Sequence, residues 1–250
     1  MIPDTLLEIS RCPEVSRCLQ STSNHPCNKI VQSQSVNSLD EFQVPEPWSG
    51  QIQSAPILFI SSNPSIGEDE IFPRGNWSDE DIVDYFQKRF GGGKTDWVIN
   101  GNKSLRKVNT YGRATMFWAG VKARANELLE REPVPGFDYA LSELVHCKSR
   151  QEMGVPEALD RCVALYLRKV MAVSGARILV GLGSLAKQVL SREFNLPPNI
   201  KVVGPFEICN KERMVTFLPH PNAWKDKTFQ KVVTESELQE LRKYLSKGAI

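Results

Sequence analysis

The chain has 250 residues, of which 41% are hydrophobic and 24% charged, and its formal net charge is +2. This length fits one domain, or one domain with a small appendage, and is enough to bury a sizeable core. No apolar run approaches the roughly 20 residues that would span a bilayer, and the N-terminus lacks the basic and apolar regions of a secretion signal. We therefore expect a cytoplasmic protein with no membrane partner. So small a net charge does not by itself indicate nucleic acid.

The amino-acid composition of the chain changes near residue 55. Residues 1 to about 50 are rich in Ser, Asn, Gln and Pro, which predicts an irregular segment, and they carry three of the six cysteines. The run PILFIS predicts a short strand that is buried on both faces. Two helices are predicted after it, one from Ser78 to Phe90 with Ser78 as its N-cap and one from Met116 to Arg131.

The second half of the chain alternates strands with helices. The runs DYALSELVHC and ARILVGLG predict two further strands, and KVVGPFEICNKERMVTFLP predicts two strands around a turn at Asn210 and Lys211. The predicted helices run from Pro156 to Val173, from a cap at Ser184 to about Phe194, and from Thr234 to Lys247.

This alternation predicts an α/β protein with three layers, in which helices cover both faces of a central, mainly parallel sheet of about four strands. We predict a main domain over residues 55–250 and a cysteine-containing N-terminal segment over residues 1–54 that packs on it. In such sheets, ligands bind beyond the carboxyl ends of the strands. The polar stretches SNPS, HCKS and HPNA each follow a predicted strand. We therefore expect them to share one edge of the sheet and to form the site.

Asn63 and His220 are the two side chains of this edge with the clearest chemistry. His220 lies between Pro219 and Pro221, which stiffen the loop that presents it. A histidine can donate a hydrogen bond to developing negative charge, or act as an acid or base near neutral pH. An asparagine can orient a water molecule but cannot deprotonate it strongly. The pair suits a reaction whose leaving group departs easily once its negative charge is stabilised.

Four stretches of the chain, in the same order, resemble the uracil-DNA glycosylase superfamily: ILFISSNPSIGEDE, ELVHCKS, ARILVGLGSLAKQVL and VTFLPHPNAW. The resemblance covers residues 55–224. SSNPS is similar to the Asn-Pro form of the superfamily's first motif, with Ser61 or Ser62 in place of the leading glycine. HPNA keeps the His-Pro of the last motif and has Asn222 in place of its serine.

The resemblance implies a monofunctional DNA glycosylase, a hydrolase of base excision repair. Such an enzyme acts on DNA and removes uracil or a related deaminated or damaged base, and we expect it to be a monomer. The base is flipped out of the helix and leaves as an anion. By resemblance, His220 would hydrogen-bond the base oxygen as charge develops, and Asn63 would position the water that captures the sugar.

The resemblance also implies residues that contact the flipped base. One aromatic ring from the loop after the first motif would stack on the base. The candidates for this ring are Phe72 and Trp77. The other residues placed beside the base by their positions in the motifs are Ser62, Pro64, Ser65 and Asn222.

Glu143 departs from the superfamily pattern. It occupies the position at which an asparagine usually contacts uracil. An asparagine donates to a uracil carbonyl group and accepts from its ring N–H, whereas an ionised glutamate only accepts. Three explanations are open: Glu143 is protonated by burial, the alignment is shifted, or the preferred base is not uracil. An exocyclic amine would suit a carboxylate better.

The cysteines are similar to those of the superfamily's iron–sulfur branch, which implies a [4Fe–4S] cluster held by four thiolates. Cys147 and Cys162 are spaced much like that branch's second cysteine pair. The first pair departs from the usual C-x2-C spacing, but HPCNKIV resembles the sequence around one ligand and so favours Cys18 with Cys27. Cys12 is the alternative ligand. Unligated thiols and zinc are the remaining explanations, although no histidine has zinc-finger spacing.

Two other classes of function are weighed against a glycosylase. A glycosylase-like domain that binds flipped or damaged bases without cutting them is consistent with Glu143 and the altered motifs. An unrelated α/β hydrolase or nucleotide-binding enzyme is disfavoured, because the sequence has no serine elbow, G-x-G-x-x-G or G-x-x-x-x-G-K-S/T motif. An assay of base excision separates the first two classes.

Overall fold

A six-stranded sheet forms the centre of the protein. The structure is a computed structural model that describes residues 2–20, 24–67, 69–197, 201–224 and 226–247. Within these residues the strands are β1 (Trp48–Ser49), β2 (Ile57–Ser61), β3 (Val98–Ile99), β4 (Lys103–Ser104), β5 (Tyr139–Glu143), β6 (Ile178–Leu182), β7 (Val202–Glu207) and β8 (Glu212–Leu218). Strands β3 and β4 pair only with each other, and the other six form the central sheet.

The central sheet is mainly parallel, with the strand order β1-β5-β2-β6-β8-β7. Its four inner strands, β5, β2, β6 and β8, are parallel, and the edge strands β1 and β7 run antiparallel to their neighbours. The predicted α/β fold with a mainly parallel sheet is confirmed. The sheet has six strands where the sequence predicted about four, because the antiparallel strands β1 and β7 flank the four parallel strands at its two edges.

Ten α-helices surround the sheet in the described part of the chain. They are α1 (Ile2–Ser10), α2 (Pro13–Gln20), α3 (Asn28–Gln32), α4 (Asp79–Lys88), α5 (Met116–Leu129), α6 (Val155–Cys162), α7 (Arg168–Val173), α8 (Ser184–Glu193), α9 (Phe229–Val232) and α10 (Glu235–Ser246). A π-helical turn (Val163–Leu167) joins α6 to α7, so that the predicted helix over this region is continuous but widened in its middle. None of these helices is long and apolar enough to cross a membrane.

Alternate residues of each inner strand face the two helical layers. In β2, Leu58 and Ile60 pack into the core shared with helices α1–α4 and α6–α8. Ile57 and Phe59 of the same strand pack into the other core, which is shared with α5, α9 and α10. All five residues of β2 are buried, as expected for a parallel strand covered on both faces. The result is the three-layer arrangement of helix, sheet and helix.

The N-terminal segment contains three helices, so the prediction that residues 1 to about 50 are irregular is wrong there. In α1, Leu6 and Ile9 are fully buried, and in α2 the same spacing of three residues buries Val15 and Cys18. Pro13 begins α2, where its missing N–H costs no hydrogen bond. Apolar residues at this spacing form one helical face, but each of these helices is too short to show a repeated pattern.

Two further boundaries differ from the sequence prediction. Gly183, with a φ of 92°, is the N-cap of α8, and Ser184 is the first residue of the helix rather than its cap. Strand β5 ends at Glu143, four residues before the end of the predicted run. The chain then turns toward β2, where the backbone N–H groups of Leu144 and Val145 donate to the carbonyl groups of Ser61 and Ser62.

Candidate functional site

A cavity of about 440 Å³ opens at the carboxyl edge of the central sheet. Strands β5, β2, β6 and β8 all run toward this edge, so the segments that follow them meet there. The three polar stretches singled out in the sequence contribute to its wall. Their members that line the cavity are Ser62, Asn63, Pro64, Ser65, Lys148, Ser149, His220 and Asn222.

The amide group of Asn63 is held in one orientation. Its Nδ2 lies 2.9 Å from Ser149 Oγ, 3.0 Å from the Pro64 carbonyl oxygen and 3.3 Å from the Cys147 carbonyl oxygen. These three acceptors use the donor capacity of the amide nitrogen. Its Oδ1 is left as an acceptor on a residue that lines the cavity. Such an oxygen can orient a water molecule by accepting one of its hydrogens.

The imidazole of His220 is fixed as a donor toward a ligand. Its Nδ1 accepts the backbone N–H of Asn222 at 3.2 Å, so the ring proton lies on Nε2. The ring stacks on Phe117, with 5.3 Å between centroids and 28° between planes. Burial lowers the pKa of His220 and nearby Lys227 adds to this effect, against an opposing contribution from Glu152. At neutral pH the cavity therefore contains a neutral imidazole with one N–H to donate.

Glu143 lines the same cavity and carries a buried carboxyl group. It is 8% exposed, and its Oε2 has no hydrogen-bond partner among the residues that the structure describes. Burial raises the pKa of Glu143 well above its ordinary value, and the nearby carboxylates of Glu46 and Glu152 raise it further. Of the three explanations that the sequence left open, the structure supports protonation by burial. A neutral carboxyl group has a donor as well as an acceptor, so it does not require an exocyclic amine as its partner.

A buried ionic network forms one wall of the cavity. Arg89 pairs with Glu46 at 2.8 Å and with Glu70 at 2.5 Å, and Lys148 pairs with Glu70 at 3.0 Å. These two cations hold the pKa of the Glu70 carboxyl below its ordinary value in spite of burial. This network could not be predicted from the sequence, because its members come from four separate segments that meet only in the folded chain.

The two aromatic candidates for stacking lie away from the cavity: Phe72 is a core residue, and Trp77 is partly buried and packs against the core. Phe72 is 4% exposed, lies beneath Lys148 and packs against Tyr85 and Phe86. Trp77 packs against Tyr85 and Trp97. Both rings are drawn into the aromatic cluster beside α4, since burying a large ring is favourable. Neither of them lines the cavity.

Two other aromatic residues line the cavity, and sequence reasoning missed their role. Phe117 and Trp118 lie in the first turn of α5. Phe117 stacks on His220, while Trp118 lies 4.8 Å from the guanidinium group of Arg89. In the sequence Phe117 appeared only as an apolar member of a helix. Two adjacent aromatics at a helix start, directly after a loop, were the signal that could have placed them at the site.

Exposed apolar side chains occur on loops beside the cavity. Trp224, four residues after His220, is fully exposed, and Val108 is 76% exposed. Val108 follows Arg106, which lines the cavity, and Lys107 in a loop that also carries Arg113. Lys225, which follows Trp224, lies outside the described residues. The loops that carry these residues thus contain both basic and exposed apolar side chains.

Four cysteines line a second, small cavity on the other side of the segment that follows β5. This cavity measures about 20 Å³, and its cysteines are Cys12, Cys27, Cys147 and Cys162. Burial, with a contribution from neighbouring thiols, raises the pKa of Cys27 and of Cys162 to about 12. Thiolates here would need a compensating positive charge. In the described part of the chain, no group of three or more His, Cys, Asp or Glu side chains is already arranged as a metal site.

Cys18, one of the predicted ligands, does not line this second cavity. Its Sγ lies 3.3 Å from His25 Nδ1, an atom that also accepts the backbone N–H of Cys27. His25 Nε2 in turn lies 3.1 Å from Glu14, so the ring donates from Nε2 and accepts at Nδ1. Burial raises the pKa of Cys18 to about 11. The structure therefore places Cys18 as a thiol donor to His25 and puts Cys12 in the quartet instead.

The comparisons with protein families and with curated proteins found no match. No protein-family model matches the chain, and no curated protein matches it significantly. The function must therefore be argued from the geometry of the two cavities.

Proposed function

We propose that this protein is a DNA glycosylase, which removes uracil or a related deaminated base by hydrolysing its N-glycosidic bond. The observation that carries the proposal is the pairing of a neutral His220, as an N–H donor, with Asn63, as an oxygen acceptor, in one cavity at the carboxyl edge. The resemblance of the surrounding motifs to the uracil-DNA glycosylase superfamily agrees with it.

His220 would stabilise the departing base. When the bond between base and sugar breaks, the bonding electron pair goes to the base and negative charge spreads to its carbonyl oxygens. A neutral imidazole can donate from Nε2 to such an oxygen, and the bond strengthens as the charge grows. The stacked ring of Phe117 and the hydrogen bond from Asn222 hold the imidazole in place beforehand. Little free energy is then spent on reorganisation during the reaction.

Asn63 would orient the nucleophile. Its Oδ1 can accept one hydrogen of a water molecule whose oxygen then attacks the anomeric carbon of the sugar. The cationic sugar formed as the base departs needs only a placed water, so a strong base is not required. The amide group of Asn63 cannot rotate by 180° without breaking its hydrogen bonds to Pro64, Cys147 and Ser149.

The surface around the cavity would hold the DNA strand. Arg106 lines the cavity and offers a guanidinium group to a phosphate. The exposed indole of Trp224 can stack on a base or fill the space that a flipped base leaves. Such contacts would allow DNA binding by a chain whose net charge is only +2.

We further propose that Cys12, Cys27, Cys147 and Cys162 hold a [4Fe–4S] cluster. The donor set fits, since one small cavity is lined by three buried thiols and one partly buried thiol, and four thiolates are the usual ligands of such a cluster. Burial raises the pKa values of these thiols, so thiolates would form there only together with a bound positive charge. Bound there, the cluster would fasten α2, α3 and α6 to the segment after β5. Cys147 also connects the two cavities, because its carbonyl oxygen accepts from Asn63.

An excision assay tests the proposed function. The protein, in excess, is incubated with labelled oligonucleotides that carry uracil, hypoxanthine, xanthine or a thymine mismatch, and abasic sites are then cut with alkali. We expect cleavage at one or more of these bases in a single turnover. Tight binding without cleavage would support the alternative of a domain that only binds flipped bases. Neither binding nor cleavage of any of them would refute the proposal.

A further inference from the structure

The loop that carries His220 is a tight turn. The backbone N–H of Ala223 donates to the carbonyl oxygen of His220 at 2.8 Å, and Pro221 occupies the second position of the turn, where its fixed φ is favourable. The backbone N–H of Asn222, inside the turn, is the donor that fixes Nδ1 of His220. The direction of the imidazole ring therefore depends on the shape of this turn.

Lys227 holds the turn through its side chain. Its Nζ donates to the carbonyl oxygen of Ala223 at 3.1 Å and also to that of Pro221. No backbone N–H of the described residues donates to either oxygen. The Pro221 carbonyl group and the Asn222 N–H belong to one planar peptide unit and point in opposite directions. Lys227 therefore binds one side of the peptide whose other side donates to His220.

One face of α5 supports the same loop. Phe117, Gly120 and Arg124 are spaced by three and then four residues, so they lie on one side of the helix. Phe117 stacks on the imidazole ring. A Cβ atom at Gly120 would lie only 2.9 Å from Cβ of Pro221. Arg124 donates to the carbonyl oxygen of Lys227 at 3.1 Å and so fixes the start of the lysine side chain.

Packing against α5 does not hold the turn by itself. A cleft of about 200 Å³ separates part of the loop from the helix, and Met116, Pro219 and Lys227 are among the residues that line it. Atoms that face each other across an open cleft gain no dispersion energy from one another. The hydrogen bonds of Lys227 are thus needed to keep the turn in one shape.

We propose that Lys227 is a positioning residue of the site, whose ammonium group holds the peptide between Pro221 and Asn222 so that His220 accepts at Nδ1 and donates from Nε2. The inference rests on the proposed function and adds to it a residue that acts through His220. An ammonium group has three donors, enough for both carbonyl oxygens. A donor bound to a carbonyl group also polarises its peptide, which strengthens the N–H on the other side.

The tautomer of His220 can be measured without DNA by ¹⁵N NMR of the ring nitrogens. The chain has three histidines, and His220→Gln identifies the signals of this one. When the ring is neutral, we expect the Nε2–H tautomer alone in wild type. Lys227→Met, of similar length, should give a mixture of both tautomers, and Lys227→Arg, which keeps donors, should stay close to wild type. A wild-type tautomer in folded Lys227→Met would overturn the inference.

The titration of His220 gives a second measure. Burial lowers the pKa of the ring and Lys227 adds to this effect, whereas Glu152 opposes it. Loss of the ammonium group and a looser turn both act upward, so the pKa of His220 should be higher in Lys227→Met than in wild type. Lys231→Met is the control, because Lys231 is exposed and pairs with Asp226, and should leave this pKa unchanged. An unchanged pKa in Lys227→Met would count against the inference.

The excision assay tests the consequence for the reaction. The single-turnover rate of Lys227→Met should be about 10- to 100-fold below that of wild type, because a displaced group loses much of its effect. Affinity for the oligonucleotide should be nearly unchanged. Lys227→Arg should recover most of the rate, and Lys231→Met should match wild type.

The outcomes separate this inference from the proposed function. Weaker binding by Lys227→Met at an unchanged rate would mean that Lys227 contacts the DNA backbone, which would overturn the inference and leave the proposed function intact. If wild type excises no base, the proposed function fails, and the tautomer of His220 decides whether Lys227 positions the ring.

Discussion

At the scale of single side chains, Asn63 and His220 of the main cavity each have partners that fix the orientation of the side chain. Asn63 directs its Nδ2 at three oxygen atoms of the protein, and His220 gives its Nδ1 lone pair to the backbone of Asn222. What remains for a ligand is an acceptor at Asn63 and a donor at His220. Groups that are oriented before the reaction stabilise developing charge more effectively than mobile ones.

Substitution of Asn63 should affect the chemical step more than binding. Asn63→Ala removes the acceptor that orients water, so we expect the single-turnover rate of excision to fall by at least about 100-fold, as for loss of one preorganised polar group. The affinity for the oligonucleotide should change little. Asn126→Ala, which removes an amide that bonds the Arg131 carbonyl group far from the cavity, is the control. A wild-type rate for Asn63→Ala would show that the residue only shapes its turn.

Asn63 and His220 could be predicted because each lies beside proline at the end of an apolar strand, a local signal of a presented side chain. The positions of Phe117 and of the ion pair between Arg89 and Glu46 at the cavity could not be predicted. Their roles depend on which distant segments meet, and no short stretch of sequence encodes this. Phe72 was misplaced for the same reason, since an aromatic residue near a motif is as readily buried as presented to a ligand.

At the scale of helices and strands, the site depends on parallel strands that end together and on helices that hold them. The inner strands were predictable from continuous apolar runs. The edge strand β1 was not, because two residues carry no periodic signal. The N-terminal helices were missed because their polar composition outweighed the few apolar positions that pack.

Helix α10 allows a test of stability that leaves the site untouched. Thr234 and Glu237 form a capping box in which each side chain bonds the other's backbone N–H. Thr234→Ala should lower the free energy of unfolding by about 1 kcal/mol, because a helix N–H loses its partner. Denaturant titration measures this. Glu240→Ala, an exposed substitution in the middle of the same helix, is the control and should have a much smaller effect.

At the scale of the whole molecule, the segment after β5 lies between the two cavities. Cys147 lines the cysteine cavity with its side chain and holds Asn63 with its carbonyl oxygen. Cys12, directly before α2, and Cys27, the N-cap of α3, line the same cavity. A bound cluster would thus stabilise the position of Asn63 as well as the packing of the N-terminal segment.

The cysteine quartet predicts which thiols hold iron. Protein purified without oxygen should be brown and contain about four iron atoms per chain. Cys12→Ser and Cys162→Ser should lose iron and stability, because each removes a ligand. Cys18→Ser should keep iron, since Cys18 contacts His25 rather than the cavity. Cys209→Ser, in the turn between β7 and β8, is the second control because Cys209 does not line the cavity either. Iron loss from Cys18→Ser with retention in Cys12→Ser would contradict this assignment.

The central claim is that His220 stabilises charge on a departing base, and the single-turnover excision rate of His220→Ala tests it most directly. We expect this rate to fall by about 100- to 1000-fold, the usual cost of one such donor, with affinity for the oligonucleotide and folding nearly unchanged. Trp224→Ala, on the same loop, should instead weaken binding and leave the rate at saturating protein close to wild type. A wild-type excision rate for His220→Ala, or equal effects of the two substitutions on rate and affinity, would contradict the account.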